Sequence, residues 1–298
     1  MRPIILIFLI ASLPVLAQKP DSTSALNSML NAELGFAQSS VMHGRNAAFV
    51  ENFAEESVVF SSKWITNGRQ IFRERKESPV VLKWEPEFMD ISLSRDFGIS
   101  TGPWEMQDYH PNTEPLSTGY FLTVWKKQPD GVWKVILDAG SETPPPVVNH
   151  HRISFPPAAD KTVTNAPKNS APKASAELLE REKQILGIWK SNPVPSTYSS
   201  FLEADARIQI GGELPKIKRD SINTWLLKLN KSLSWTSVGC NAAPSGDIGF
   251  TYGLFETHNV KSNTSGHYVR IWKKQSDGKW LITLEMMDTD RFTTGGGG

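Results

Sequence analysis

The feature that most limits what this chain can fold into is a gapless internal match. Residues 119–137 read GYFLTVWKKQPDGVWKVIL, and residues 266–284 read GHYVRIWKKQSDGKWLITL. Gly119/Gly266, Trp125/Trp272, Lys126/Lys273, Lys127/Lys274, Asp130/Asp277, Gly131/Gly278, Trp133/Trp280 and Leu137/Leu284 are identical pairs. Upstream, Leu82-Lys83-Trp84 pairs with Leu233-Ser234-Trp235, Gly98 with Gly249, Gly102 with Gly253 and Glu105 with Glu256. The first copy carries four extra residues between Gln107 and Gly119. That stretch is polar and contains proline, which marks a loop insertion. A repeat this long is a duplicated domain and not a solenoid of short units. A chain of 298 residues has room for two such domains. Lys plus Arg is 32 and Asp plus Glu is 31, so no overall charge draws it to nucleic acid or to an anionic membrane.

The ends and the middle differ from the copies. Residues 1–17 combine Arg2, a short apolar run from Ile4 and small residues before Gln18, the pattern of a cleaved secretory signal peptide. The run is too short to span a bilayer comfortably, and Pro14 interrupts it. The expectation is a periplasmic or secreted protein with no membrane attachment after cleavage. Residues 143–174 are rich in Pro, Ala, Ser, Asn and Lys and read as an extended linker. Residues 22–142 and 175–292 are then the two domains, and 293–298 is a flexible Gly-rich tail. The single cysteine, Cys240, cannot form an internal disulfide and reads as a small strand residue. His150-His151 in the linker lacks the Cys, His or acid spacing of a metal site, and nothing else implies a metal or a cofactor.

Within one copy, residues 22–40 carry a helical apolar stripe, and 46–54 and 69–76 read as two more helices. A strand covers 57–60, and a meander follows over 83–93, 98–107, 119–128 and 132–138, with Pro129-Asp130-Gly131 as the last turn. The second copy repeats this with helices at 176–190, 196–204 and 219–231. Helices first and strands after give an α+β fold. Alternation places Tyr120, Leu122 and Val124 on one strand face, with His267, Val269 and Ile271 their counterparts. This more apolar face is expected under the helices. The tryptophan face, with Trp125 and Trp272, is expected between the two copies, making an internal pseudo-dimer in a monomeric chain.

The helical opening, the Gly68-Arg69 helix start, Trp84-Glu85-Pro86-Glu87-Phe88, the run GISTGPW from Gly98 to Trp104, and the hairpin from Val124 to Val135 resemble the nuclear transport factor 2-like superfamily. More narrowly, they resemble its SnoaL/ketosteroid-isomerase-like bacterial domains of unknown function. The resemblance implies two tandem cone-shaped domains, each with about three helices on a curved antiparallel sheet and a pocket at one end. Such pockets serve isomerases, lyases and hydrolases that use acidic residues, and others only bind a ligand or a partner.

An enzyme of this kind needs a carboxylate in an apolar pocket. Asp138 is the first candidate, because it ends a strand and Glu285 keeps an acid at the paired position. Strict alternation opposes it, since it sets Asp138 opposite Trp133 and Val135. Glu105 is the second candidate, with a solvated edge or a lysine pair as its simpler reading. Trp84, Trp104 and Tyr120 in one copy, and Trp235, Phe255 and His267 in the other, are candidates to line a cavity for a ring-shaped molecule. The expected partner is therefore a small apolar or aromatic molecule. A cofactor-independent isomerase, lyase or hydrolase using Asp138, and a protein-interaction or structural role, stay open.

Overall fold

The computed structural model describes residues 22–60, 65–108, 114–145, 153–156, 169–191, 195–226, 233–257 and 264–289. The expected signal peptide, His150-His151, the expected tail and most of the expected linker lie outside the described residues.

The first unit opens with α1 (Ser22–His43) and α2 (Arg45–Asn52). On α1 the buried residues are Ala25, Met29, Glu33, Phe36, Ala37 and Ser40, a single stripe at helical spacing. β1 (Phe53–Phe60) starts where a helix was expected to continue, because Phe53 already faces the core. β2 (Ile65–Asn67) and α3 (Gly68–Glu74) follow, with the Asn67 side chain capping α3 by accepting from the Gln70 amide at 2.7 Å. The strand expected over 83–93 is two strands, β3 (Val81–Trp84) and β4 (Phe88–Ile91). Pro86 has no N–H to donate to a ladder, and the chain steps out around it. β5 (Phe97–Gln107), β6 (Ser117–Lys127) and β7 (Trp133–Glu142) complete a sheet of order β2-β1-β7-β6-β5-β3, with β4 also on β5. Its ladders are antiparallel except β1 on β7, which is parallel.

The second unit repeats this order. It runs α4 (Ala171–Ser191), α5 (Pro195–Ser199), β8 (Leu202–Ile210), β9 (Glu213–Ile217), α6 (Arg219–Leu226), β10 (Leu233–Ala242), β11 (Ile248–Thr257), β12 (Thr264–Lys274) and β13 (Trp280–Thr289). The sheet order is β10-β11-β12-β13-β8-β9, with β8 parallel to β13. α4 begins inside the stretch expected as linker. α5 ends at Ser199, and β8 occupies the end of the helix expected at 196–204. Another piece of the linker, Ser154, joins the first sheet through its amide on Glu87 O at 2.8 Å.

The repeat has two visible reasons. Gly131 and Gly278, at φ 87° and 85°, take the left-handed conformation that closes each final hairpin. At Gly119 and Gly266, an added Cβ would strike the rings of Trp104 and Phe255, so each aromatic lies across a bare neighbouring strand.

The sheet faces are opposite to the expectation. Trp125 and Trp272 point under the helices, where Trp133 donates to Ser28 of α1 at 3.2 Å and Trp280 to Glu177 of α4 at 2.9 Å. The aliphatic faces meet each other instead. Ile99, Leu122, Val124 and Leu137 form one buried cluster with Ile248, Phe250, Val269 and Ile271. Alternation sorts the residues correctly, but apolarity alone does not say which cover each face receives. The helix side must also house buried polar groups, whereas two flat aliphatic faces exclude water from each other.

The contact is two-fold in character. Ser94 and Ser245 hold the same place in the two copies and touch each other, Oγ to Oγ, at 2.9 Å. Phe60 packs on Tyr252 at 5.8 Å between ring centroids, while the paired positions Gln209 and Thr101 are hydrogen bonded at 2.7 Å. Lys273, one of the repeated hairpin lysines, reaches across to Asp90. A self-complementary surface of this kind is the signature of an isologous interface. Phe250→Ala is expected to cost about 3–5 kcal/mol. Urea unfolding followed by fluorescence and circular dichroism checks this. Both signals should shift together, because the side chain stabilises the two units jointly.

Candidate functional site

Asp138 reaches the helix side of its sheet through a β-bulge. Trp125 pairs with Val135, but Val124 pairs with Leu137, so Ile136 is an extra residue. The bulge resets the alternation, and Val135 and Asp138 both turn toward the helices. Thr123 stands directly opposite Asp138, and its Oγ1 donates to Oδ1 at 2.7 Å. Among the described residues no other donor reaches this carboxylate.

Asp138 lines a cavity of about 200 Å³ at the end of the cone. Phe36 from α1, Phe49 from α2, Phe72 from α3, Trp84 from β3, Trp104 from β5 and Phe121 from β6 give it aromatic walls. Arg45 also lines it, with an Nε that is buried and has no hydrogen-bond partner among the described residues. Burial lowers the Arg45 pKa, nearby Arg75 adds to that, and Glu77 acts in the other direction.

A second carboxylate, Glu33, lies beneath the walls. It accepts from Trp84 Nε1 at 2.6 Å, from Trp125 Nε1 at 2.8 Å and from the Ser100 hydroxyl. Burial pushes its pKa up, and these three donors pull it back. For Asp138, burial is again the main cause and raises the pKa to about 7, against the pull of the Thr123 hydrogen bond and with a further push from Glu33. A carboxyl poised near neutrality in an aromatic cavity can bind as an acceptor, donate a proton or take one.

The second unit builds the same corner and fills it. Glu182 on α4 holds the place of Glu33, Glu285 that of Asp138, Tyr268 that of Phe121 and Arg270 that of Thr123. The Arg270 guanidinium bonds Glu182 through Nη1, and Nε reaches Glu285 at 2.9 Å, all of it fully buried. Its Cζ lies 4.7 Å from the Trp235 ring centroid and 4.3 Å from that of Tyr268. The Tyr198 hydroxyl donates to Glu285, and the Tyr268 hydroxyl donates to Glu182 at 2.8 Å. Two carboxylates share one guanidinium, and burial together with Glu182 raises the Glu285 pKa.

The residues singled out in the sequence therefore fall into separate places. Asp138, Trp84 and Trp104 share the first unit's cavity. Trp235 and Phe255 pack on each other at a tilt near Arg270, and Glu285 is buried beneath it. Glu105 is outside the cavity, half-exposed on β5, 3.9 Å from Lys83 Nζ and accepting from Gln107 at 3.0 Å. Tyr120 and His267 are on the opposite sheet faces, toward the other unit. Burial raises the Tyr120 hydroxyl to about 12, Glu87 adding to this and Arg207 opposing it. His267 stacks on Phe60 at 4.5 Å, and burial lowers it to about 4. Sequence reading missed Thr123, Arg45, Glu33 and Arg270. The one available signal was a charged residue inside an apolar pattern: Glu33 between Met29 and Phe36, and Arg270 between Val269 and Ile271.

No family model and no curated protein matches the chain. Solved structures similar to it cover about one unit. One is a ketosteroid isomerase-like protein from Erwinia carotovora atroseptica, 12% identical over 40% of this chain and 97% of its own, with a TM-score of 0.35. Another is an NTF2-like protein of unknown function from Shewanella oneidensis, 14% identical over 38% and 97%, with a TM-score of 0.33. A third is an NTF2-like protein with a cystatin-like fold from Novosphingobium aromaticivorans, 9% identical over 40% and 83%, also with a TM-score of 0.33.

Two stability measurements test the electrostatics. Arg270→Ala leaves two buried carboxylates without their cation and is expected to cost about 3–5 kcal/mol. Asp138 carries the opposite sign. Unfolded, its carboxyl ionises at the ordinary 3.8, and folded at about 7, so the folded state holds the extra proton between those values. Its contribution to stability therefore falls as pH rises across that window. Asp138→Asn should raise stability by more at about pH 8 than at about pH 5, read by urea unfolding at both values. Equal effects at the two values would exclude a raised Asp138.

Proposed function

We propose that the first unit is a binding module for a small ring-shaped molecule and that the second is its structural partner. The observation that carries this is the contrast at one position: Thr123 leaves a cavity of about 200 Å³ behind aromatic walls, where Arg270 fills the equivalent corner. Drug-sized pockets run to about 300–1,000 Å³, so this one suits a single ring with small substituents. The apolar walls supply binding energy, and the Asp138 carboxyl orients a polar substituent. The signal-like segment 1–17 supports a periplasmic or secreted setting. The fused second unit supports a chain that works as a monomer.

A second reading has its own observation. A carboxyl near pKa 7 inside an aromatic cavity is suited to general acid–base work on a bound ring, so a cofactor-independent isomerase, lyase or hydrolase uses the same site. Glu105 is too far outside the cavity to be its second group, so Asp138 would act with Thr123 as its positioning residue.

Titration with toluene and phenol, read on the tryptophan indole N–H signals by NMR, tests the binding reading. Trp84 and Trp104 are expected to shift, and Trp235 and Trp272 to stay in place. Shifts at neither Trp84 nor Trp104 would rule the cavity out. If the site is catalytic, Asp138→Asn retains ring binding and loses turnover.

A further inference from the structure

We propose that the first unit's cavity is built for an organic cation, a planar amidinium, guanidinium or protonated amine carried on one ring, with Asp138 as its anchor. This rests on the cavity being a small-molecule site and names the chemistry of the molecule.

The second unit displays the occupied form of the same corner. There the cation is part of the chain: the Arg270 guanidinium, bonded to Glu182 and Glu285 and set against the rings of Trp235 and Tyr268. The first unit keeps both acids, as Glu33 and Asp138, and both rings, as Trp84 and Phe121, whose centroids are 6.4 Å apart. The guanidinium is replaced by the short Thr123 hydroxyl, and Tyr268 by Phe121, so the hydroxyl that bonds Glu182 is absent as well. The first unit is thus a carboxylate and aromatic cage with its internal cation removed, and cations bind such cages through charge-assisted hydrogen bonds and ring faces. Glu33 is already engaged by Trp84, Trp125 and Ser100, which leaves Asp138 to make the direct contact. Its only donor among the described residues is Thr123. Among the described residues Arg45, on α2, is the one cation lining the cavity, and both Arg75 and Glu77 act on it. Asp138 is the single carboxylate in the cavity lining, and Glu33 lies behind it, already satisfied by its own donors.

The test compares three probes of one shape, benzamidinium, benzamide and benzoate, by calorimetry at about pH 8, where Asp138 is ionised. Benzamidinium is expected to bind about tenfold or more tightly than benzamide. Asp138→Asn should abolish that preference. Thr123→Arg should abolish benzamidinium binding, because it installs the internal guanidinium of the second unit. Asp138→Asn is nearly isosteric, so it decides the matter even if Thr123→Arg does not fold. Equal or weaker binding of benzamidinium than of benzamide overturns the proposal and leaves the small-molecule reading in place. A preference for benzoate also overturns it and moves the anchor to Arg45. Benzamidinium binding that survives Asp138→Asn overturns it by placing the cation elsewhere. Binding of none of the three overturns both the proposal and the reading beneath it.

Discussion

One buried carboxylate on the first helix of each unit ties that helix to its sheet. Glu33 and Glu182 are fully buried, and an acid in that position is tolerable only when donors surround it. The sheets supply them. Trp125 donates to Glu33 directly, and Trp272 reaches Glu182 through the Thr251 hydroxyl. This sets which sheet face lies under the helices, because the indole N–H must point there. The aliphatic face is then left over, and a second sheet covers it. The helix contact, the orientation of the sheet and the union of the two copies all follow from where this acid is placed.

The same frame ends in two different chemistries. In the second unit a guanidinium settles the buried acids and occupies that corner. In the first, Ser100 and two tryptophans satisfy Glu33, and Asp138 is held by a single hydroxyl. Partial satisfaction is costly for stability, and it leaves a titratable group facing an open space. Folds commonly concede stability in this way at sites that act on something else.

Much of the architecture was legible from local chemistry. The Asp130-Gly131 and Asp277-Gly278 turns, the strands beside them and the α1 stripe all depend on near neighbours, and periodicity reads such features well. Pro86 announced a break that the single-strand reading passed over. The facing of the sheets was misread because Leu122 and Val124 are apolar under either arrangement, and only the partner surface decides between them. Asp138 was identified as a candidate, yet its direction depended on the extra residue Ile136. A bulge is a property of how two strands pair and leaves no mark in one strand's alternation. Tyr120 and His267 were assigned to a pocket through the misread facing of the sheets and belong to the contact between units.

The Ser94–Ser245 contact marks an axis that in other circumstances would relate two separate molecules. Two molecules on such an axis are held by mass action, and they part when diluted. Here both halves belong to one chain, so the tether and not the solution sets the concentration at which each meets the other. The pairing is then indifferent to how thinly the protein is spread. Joining also lifts a genetic restriction. In a dimer of identical chains every substitution appears twice, and an arginine that seals one cavity seals both. In this chain position 123 and position 270 are inherited separately, so one half was free to close while the other stayed open.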